Sequence, residues 1–182
     1  MQKKRCFWTG DDPQYIDYHD HEWGIPIHDD RMLFEMLNLE GAQAGLSWIT
    51  ILRKRENYRK AFDKFNVQKI LKYDAKKKEQ LMKNEGIVRN KLKINAVVVN
   101  AKAYLAVRKE FGSFDKYIWS FVNGKTLPYS QRKKAIATSE IMSKDLKKRG
   151  FKFVGATIVY AFMQAIGMVN DHMPNCFKAK KA

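Results

Sequence analysis

The amino-acid sequence predicts an all-α protein. Apolar residues recur at helical spacing in nearly every segment beyond residue 30, strand-like alternation is absent throughout, and the segments are punctuated by cap residues and glycines. At 182 residues and 45% hydrophobic content, the chain suits one cored domain or two intimately packed lobes. It contains no internal repeat and no apolar run of about 18 residues, so no membrane partner is expected. The start, Met1–Phe7, is basic but lacks the apolar stretch of a signal peptide, so a cytoplasmic chain is expected; a monomer is expected as well. The net charge of +16, from 35 basic and 19 acidic residues, favours a polyanionic partner; a merely lysine-rich surface stays open as the plainer reading.

Residues 1–30 have little periodicity but many special side chains: Cys6, Trp8, Tyr15, Tyr18, His19, His21 and Trp23. Asp12-Pro13 opens a short helix bearing Tyr15, Tyr18 and His19, which Trp23-Gly24-Ile25-Pro26 closes. Arg31–Leu39 then places Leu33, Phe34, Met36 and Leu37 at helical spacing, with Asp29-Asp30 at its positive end. The stretch from Glu40 to Leu46 reads as a break, after which Ser47 caps a second helix, Ser47–Phe62. A short helix near Val67–Tyr73 precedes one capped by Asp74, with Leu81 and Met82 facing inward and Gly86 as its stop. Arg89–Lys109 is the longest, with an apolar stripe of Leu92, Val97, Val98, Ala101, Tyr104 and Leu105. Ser113 caps Phe114–Val122; Leu127–Thr138 reads as a loop with Pro128 and the cluster Arg132-Lys133-Lys134; Ser139–Arg149 and Gly155–Gly167 are the final helix pair. The domain is placed at 1–177, and the basic tail 178–182 is expected to be disordered.

Two constellations carry chemistry. The first is Glu40 and Trp48, eight positions apart around Gly41 and Gly45, whose backbone freedom allows close approach to a ligand. A carboxylate beside a large ring suits a flat, hydrogen-bonding, cationic heterocycle. An exposed or salt-bridged glutamate, and aromatics that only pack the core, remain the plain alternatives. The second is Cys6, His19, His172 and Cys176, a C-x12-H … H-x3-C set from opposite chain ends. Two thiolates and two imidazoles suit closed tetrahedral zinc, which would tie the termini together. No ligand position is left for water, so one structural zinc per chain is expected. Four unrelated residues is the alternative, and His21 a fifth candidate that reads as an ordinary exposed histidine. Two distant cysteines in a cytoplasmic chain argue against a disulfide scaffold.

Four blocks sharpen this reading: Asp12 to Gly24, Glu40 to Glu56, Lys147 to Gly155, and Asn170-Asp171-His172. In this order and spacing they resemble the 3-methyladenine DNA glycosylase I family, over nearly the whole chain from Cys6 to Cys176. The resemblance implies a two-lobed helix-hairpin-helix glycosylase fold with zinc on Cys6, His19, His172 and Cys176. It implies hydrolysis of the N-glycosidic bond of 3-methyladenine in alkylated double-stranded DNA, releasing the free base and leaving an abasic site. Glu40 would accept hydrogen bonds from the extruded base, with Tyr18 and Trp48 stacking on it as the rest of the catalytic set. Trp8 and Trp23 are further candidate base-binding rings. The segment from Lys148 to Gly155 resembles a degenerate hairpin, with Phe153 where glycine is usual; Gly150, Lys152 and Gly155 are its candidate DNA contacts. An ordinary helix–turn–helix connection is the bland reading of the same residues. Gln43, Gly45 and Leu46 could fill the gap left by the base, though Leu46 equally suits a core.

No lysine sits in an apolar context that would activate it, so a monofunctional enzyme without a lyase step is expected. Asp171 has two candidate roles: a base or electrostatic stabiliser of the oxocarbenium ion, or, the preferred one, a group orienting His172 on zinc. Two rival functions are carried forward. One is a non-catalytic, zinc-stapled DNA-binding domain; the other is a glycosylase that also accepts other alkylpurines.

Overall fold

The computed structural model describes residues 3–179. Its helices are α1 (Pro13–His21), α2 (Asp30–Gln43), α3 (Trp48–Ala61), α4 (Val67–Ile70), α5 (Ala75–Lys83), α6 (Lys91–Phe111), α7 (Phe114–Ser120), α8 (Arg132–Lys148) and α9 (Ala156–Ala165). Among the described residues the one β-type contact is an isolated parallel bridge between Leu127 and Val169. The all-α expectation holds, and no helix is long and apolar enough to cross a membrane.

The hub is α2. Every residue from Leu33 to Ala42 is buried, and the helix packs against α3, α6, α7 and α9. Asp29 caps it by accepting from the Met32 amide at 2.7 Å, and Asp30 lies in its first turn. The helix does not break at Glu40 but runs on to Gln43. Gly41 is therefore a packing glycine: a Cβ there would lie 3.1 Å from Phe153 Cβ and 3.2 Å from the Phe153 carbonyl oxygen. The turn itself is Ala44 to Ser47, with Gly45 at φ +76. Lys93 of α6 closes the end of α2, its ammonium donating to the Ala42 and Ala44 carbonyls at 2.8 and 2.6 Å.

The expected caps form at Asp12, Asp74 and Ser113, each accepting from backbone amides of the following turn. Ser47 holds the N-cap position, but its hydroxyl pairs with Thr50 Oγ1 at 2.8 Å instead of a backbone amide. Three further expectations are corrected. Leu92 is 69% exposed; Ile94, facing the other way on α6, is the buried residue. The segment expected to be a loop to Thr138 turns helical at Arg132, after Tyr129–Gln131 forms a 3-10 turn. Lys178 and Ala179 are ordered by contacts: the Lys178 ammonium donates to the Asp20 carbonyl at 2.9 Å and the Ala179 amide to the Cys176 carbonyl at 3.0 Å. The rest of that tail, 180–182, lies outside the described residues.

α8 and α9 pack closely, joined by a turn from Arg149 to Gly155. Gly150 and Phe153 both take left-handed backbone, φ +94 and +55. Buried Asn100 holds this turn to the hub. Its Oδ1 accepts from the Lys152 amide at 2.7 Å, while its Nδ2 donates to Asn38 Oδ1 at 2.9 Å and the Lys152 carbonyl at 3.2 Å.

Candidate functional site

The last turn of α2, the first of α3, α1, the N-terminal segment, α9, the start of α8 and the segment after α9 line a half-open cavity of about 400 Å³. Glu40, Tyr18, Trp48, Trp8, Trp23 and Gln43 all line it, joined by Tyr15. Tyr18 and Trp48 lie 5.5 Å apart between ring centroids, tilted 45°; Trp8 lies 4.8 Å from Tyr15 and 5.0 Å from Trp23. Glu40 is buried and makes no hydrogen bond or ion pair within the described residues, and its Oε2 is fully enclosed. Neither the exposed nor the salt-bridged alternative describes it. Burial pushes its carboxyl up to about 8. Burial, followed by the Glu40 charge, also raises the Tyr18 phenol.

Three buried side-chain polar atoms lack a hydrogen-bond partner among the described residues: Glu40 Oε2, Trp48 Nε1 and Asp171 Oδ1. All three belong to residues lining this one cavity. Orphaned buried polar groups cost about 1–3 kcal/mol each, so their collection in one place marks a site awaiting a ligand with both donors and acceptors. Asp171 forms the opposite wall. Its Oδ2 accepts from Tyr160 Oη at 3.0 Å and Gln164 Nε2 at 2.6 Å, and its Oδ1 stands 3.3 Å from Arg132 Nε as an ion pair without hydrogen-bond geometry. Its carboxylate makes no hydrogen bond to the His172 ring among the described residues, so it does not take the preferred role of orienting that ring.

The aspartate that orients a histidine is Asp20. It accepts from His19 Nδ1 at 2.8 Å and is itself held by Arg5 at 2.7 Å. His19 Nε2 then faces Cys176 Sγ at 3.4 Å; His172 Nδ1 faces Cys6 Sγ at 3.7 Å and Cys176 Sγ at 3.6 Å. The four donor atoms, all on buried residues, lie within 4.8 Å of one another, so this cluster could hold a metal ion. Tetrahedral zinc, with bonds of about 2.0–2.3 Å, spaces its ligand atoms roughly 3.3–3.8 Å apart, and the set fits once its widest separation closes by about 1 Å. The Met173 and Lys178 amides each approach a sulfur at 3.4 Å, as suits thiolates. Burial first, then the neighbouring Cys176, raise the Cys6 thiol to about 12, and burial with the neighbouring His19 lowers His172 to about 4; a divalent cation reverses that preference for the thiol. His21 is exposed and pairs with Asp17 at 2.8 Å, outside the cluster. Cluster and cavity share walls, since Trp23 packs on His172 at 4.6 Å and Trp8 on His19 at 5.3 Å between centroids.

Residues 8–179 match the family model described as methyladenine glycosylase. The chain belongs to this family. It is 48% identical to DNA-3-methyladenine glycosylase 1 of Escherichia coli (strain K12) and 50% identical to DNA-3-methyladenine glycosylase of Haemophilus influenzae, covering at least 94% of each pair of chains. Its structure is similar to a crystal structure of 3-methyladenine DNA glycosylase I (TM-score 0.89, 50% identity, covering 96% of this chain and 98% of that one). It is also similar to the Staphylococcus aureus enzyme described for its recognition of 3-methyladenine (TM-score 0.89, 39% identity, covering 98% and 97%).

Of the expected DNA-contact residues, only Gln43 lines the cavity among the described residues. Gly45 and Leu46 sit on the exposed turn, with Leu46 42% exposed. That exposure does not suit Leu46 as a core residue. Lys152 presents an exposed side chain, but its amide is already used by Asn100. Gly155 stands at the N-cap of α9 without a side-chain cap, leaving the first amides of that helix without one. Sequence reading missed the far wall, Tyr129, Arg132 and Gln164, and Tyr160, which supports Asp171 there. One signal was available, because Gln164 is the lone amide in the apolar run of α9 and stands one turn from Tyr160.

Proposed function

We propose that the chain is a monofunctional DNA glycosylase that hydrolyses the N-glycosidic bond of 3-methyladenine in alkylated double-stranded DNA, leaving an abasic site. The single observation carrying this is the aromatic-walled cavity whose three orphaned polar atoms include a carboxyl oxygen. We read residues 1–177 as one domain, monomeric and cytoplasmic, with zinc on Cys6, His19, His172 and Cys176.

An adenine methylated at N3 within DNA is cationic. With its pKa near 8, Glu40 is largely a neutral acid in the free protein at neutral pH. A cation entering the cavity returns to the carboxylate the stabilisation that burial removed, so Glu40 ionises as the methylated base arrives. A neutral purine offers no such return, and this is the basis of selectivity. A charge-assisted hydrogen bond contributes about 1.5–3 kcal/mol, or one to two decades of discrimination. Stacking on Tyr18 and Trp48, with Trp8 and Trp23 closing the box, adds about 1–3 kcal/mol per base. Cation–π attraction strengthens it.

The reaction then needs little acid catalysis. The C1′–N9 bond breaks, its electron pair neutralises the departing base, and water supplies the oxygen bonded to C1′ and gives its proton to solvent. Extrusion, orientation and exclusion of bulk water are the protein's main contributions. No lysine lines the cavity among the described residues, which supports hydrolysis without a lyase step. Lys93 is desolvated, but its ammonium is held by two carbonyls outside the cavity lining. Zinc would cross-link the chain ends and buttress Trp8 and Trp23 without taking part in the chemistry. A purely DNA-binding domain would have no use for the unpartnered atoms around the cavity.

The test is incubation with methylated duplex DNA and chromatographic separation of the freed bases. Release of 3-methyladenine without strand cleavage is expected. Release of 7-methylguanine at a comparable rate would replace this reading with that of a broader enzyme, and no release would leave only a DNA-binding scaffold.

A further inference from the structure

We propose that Arg132, with the first turn of α8, forms a subsite for the phosphate flanking the extruded nucleotide. The inference rests on the glycosylase reading and extends it to the other half of the substrate. Arg132 is the sole cationic residue lining the cavity among the described residues, on the wall that Asp171 also forms. Its side chain is 54% exposed while that of Asp171 is 5% exposed, so the guanidinium reaches from an enclosed carboxylate out to the mouth. The fork has five N–H groups. Within the described residues Asp171 is its one carboxylate partner, 3.3 Å from Nε, and the Tyr160 hydroxyl is a further neighbour. The guanidinium therefore has donors to spare at the mouth.

The helix that carries it is built against its own dipole. Arg132-Lys133-Lys134 opens the 17-residue α8 with no acidic residue in the first turn, at the end where the macrodipole disfavours cations. Gln131, at the N-cap, gives no side-chain cap, and neither Lys133 nor Lys134 forms an ion pair among the described residues. All of residues 131–134 are exposed. An anion at the cavity mouth resolves the arrangement, because it meets the free donors of Arg132 within the positive field of an uncapped, wholly basic helix start. The extruded nucleotide supplies one. It is cationic at the base and anionic at the phosphate, matching Glu40 deep in the cavity and Arg132 at the rim.

The competing role for Arg132 is only to neutralise Asp171. Salt dependence separates the two. Binding of methylated duplex is measured across salt concentrations for wild type, Arg132→Gln and Arg132→Lys, beside binding of free 3-methyladenine followed by tryptophan fluorescence. Arg132→Gln should weaken duplex binding about tenfold and make the log–log salt slope shallower by about one, as loss of one phosphate contact requires. Free-base affinity should change far less than duplex affinity in Arg132→Gln, and Arg132→Lys should keep the wild-type slope. An unchanged slope in Arg132→Gln, an equal loss toward free base and duplex, or an Arg132→Lys slope matching that of Arg132→Gln would each overturn the subsite. Failure of the wild type to release 3-methyladenine would instead overturn the glycosylase reading, and is scored separately from the slopes.

Discussion

Replacing Glu40 by Gln should make the protein more stable and catalytically poor, with the stability gain depending on pH. The folded chain holds this carboxyl's proton up to about pH 8, against an ordinary value of 4.5. Between those limits the folded state keeps a proton that the unfolded state has lost, so stability falls as pH rises through the window. Each unit is worth about 1.4 kcal/mol, so at about pH 7 the buried carboxyl costs roughly 3 kcal/mol relative to a neutral isostere. Glutamine keeps the shape and removes the titration. Urea denaturation of both proteins at several pH values measures the difference. It should be near zero around pH 4, grow to a few kcal/mol in favour of Glu40→Gln near neutrality, and level off above about pH 8. A variant less stable than wild type, or a difference that does not vary with pH, would refute the view of Glu40 as a desolvated carboxyl held ready for a cation.

Four shorter predictions accompany it. Metal analysis of the purified protein should find close to one zinc per chain, and chelation should lower Tm and change the emission of Trp8 and Trp23, which pack on His19 and His172. Asp171→Asn should retain its metal yet slow base release at least about tenfold, because the carboxylate lines the cavity, pairs with Arg132 and makes no hydrogen bond to the His172 ring. Gly41→Ala should cost about 1–3 kcal/mol in denaturant unfolding, since its methyl would press on Phe153 and part α2 from the α8–α9 turn. Lys93→Met should impair action on duplex DNA more than binding of free base, because it frees the α2 end that sets the Gly45-Leu46 turn.

Local chemistry was the part of this structure legible in the sequence. Asp12, Asp74 and Ser113 cap their helices because a short polar side chain followed by a periodic run has few other uses. The cluster Cys6, His19, His172 and Cys176 was readable from donor type, even though its halves meet only in the fold. Errors arose where tertiary packing outvotes local preference. Gly41 looks like a breaker, yet it lies inside α2 because only glycine lets Phe153 approach so closely. The start of α8 at Arg132 was hidden because its first turn is basic and uncapped, the reverse of a helix-start signal. Asp171 was misassigned because proximity in sequence to His172 suggested a contact, whereas its neighbours in space come from one turn of α9 and from α8.

The most direct measurement is a crystal structure with free 3-methyladenine bound. The base should lie between Tyr18 and Trp48, with a ring or amino nitrogen within hydrogen-bond distance of Glu40 Oε2. Finding the base outside this cavity, or the Glu40 carboxyl rotated into bulk solvent, would contradict the assignment of this protein as a 3-methyladenine glycosylase working through that carboxyl.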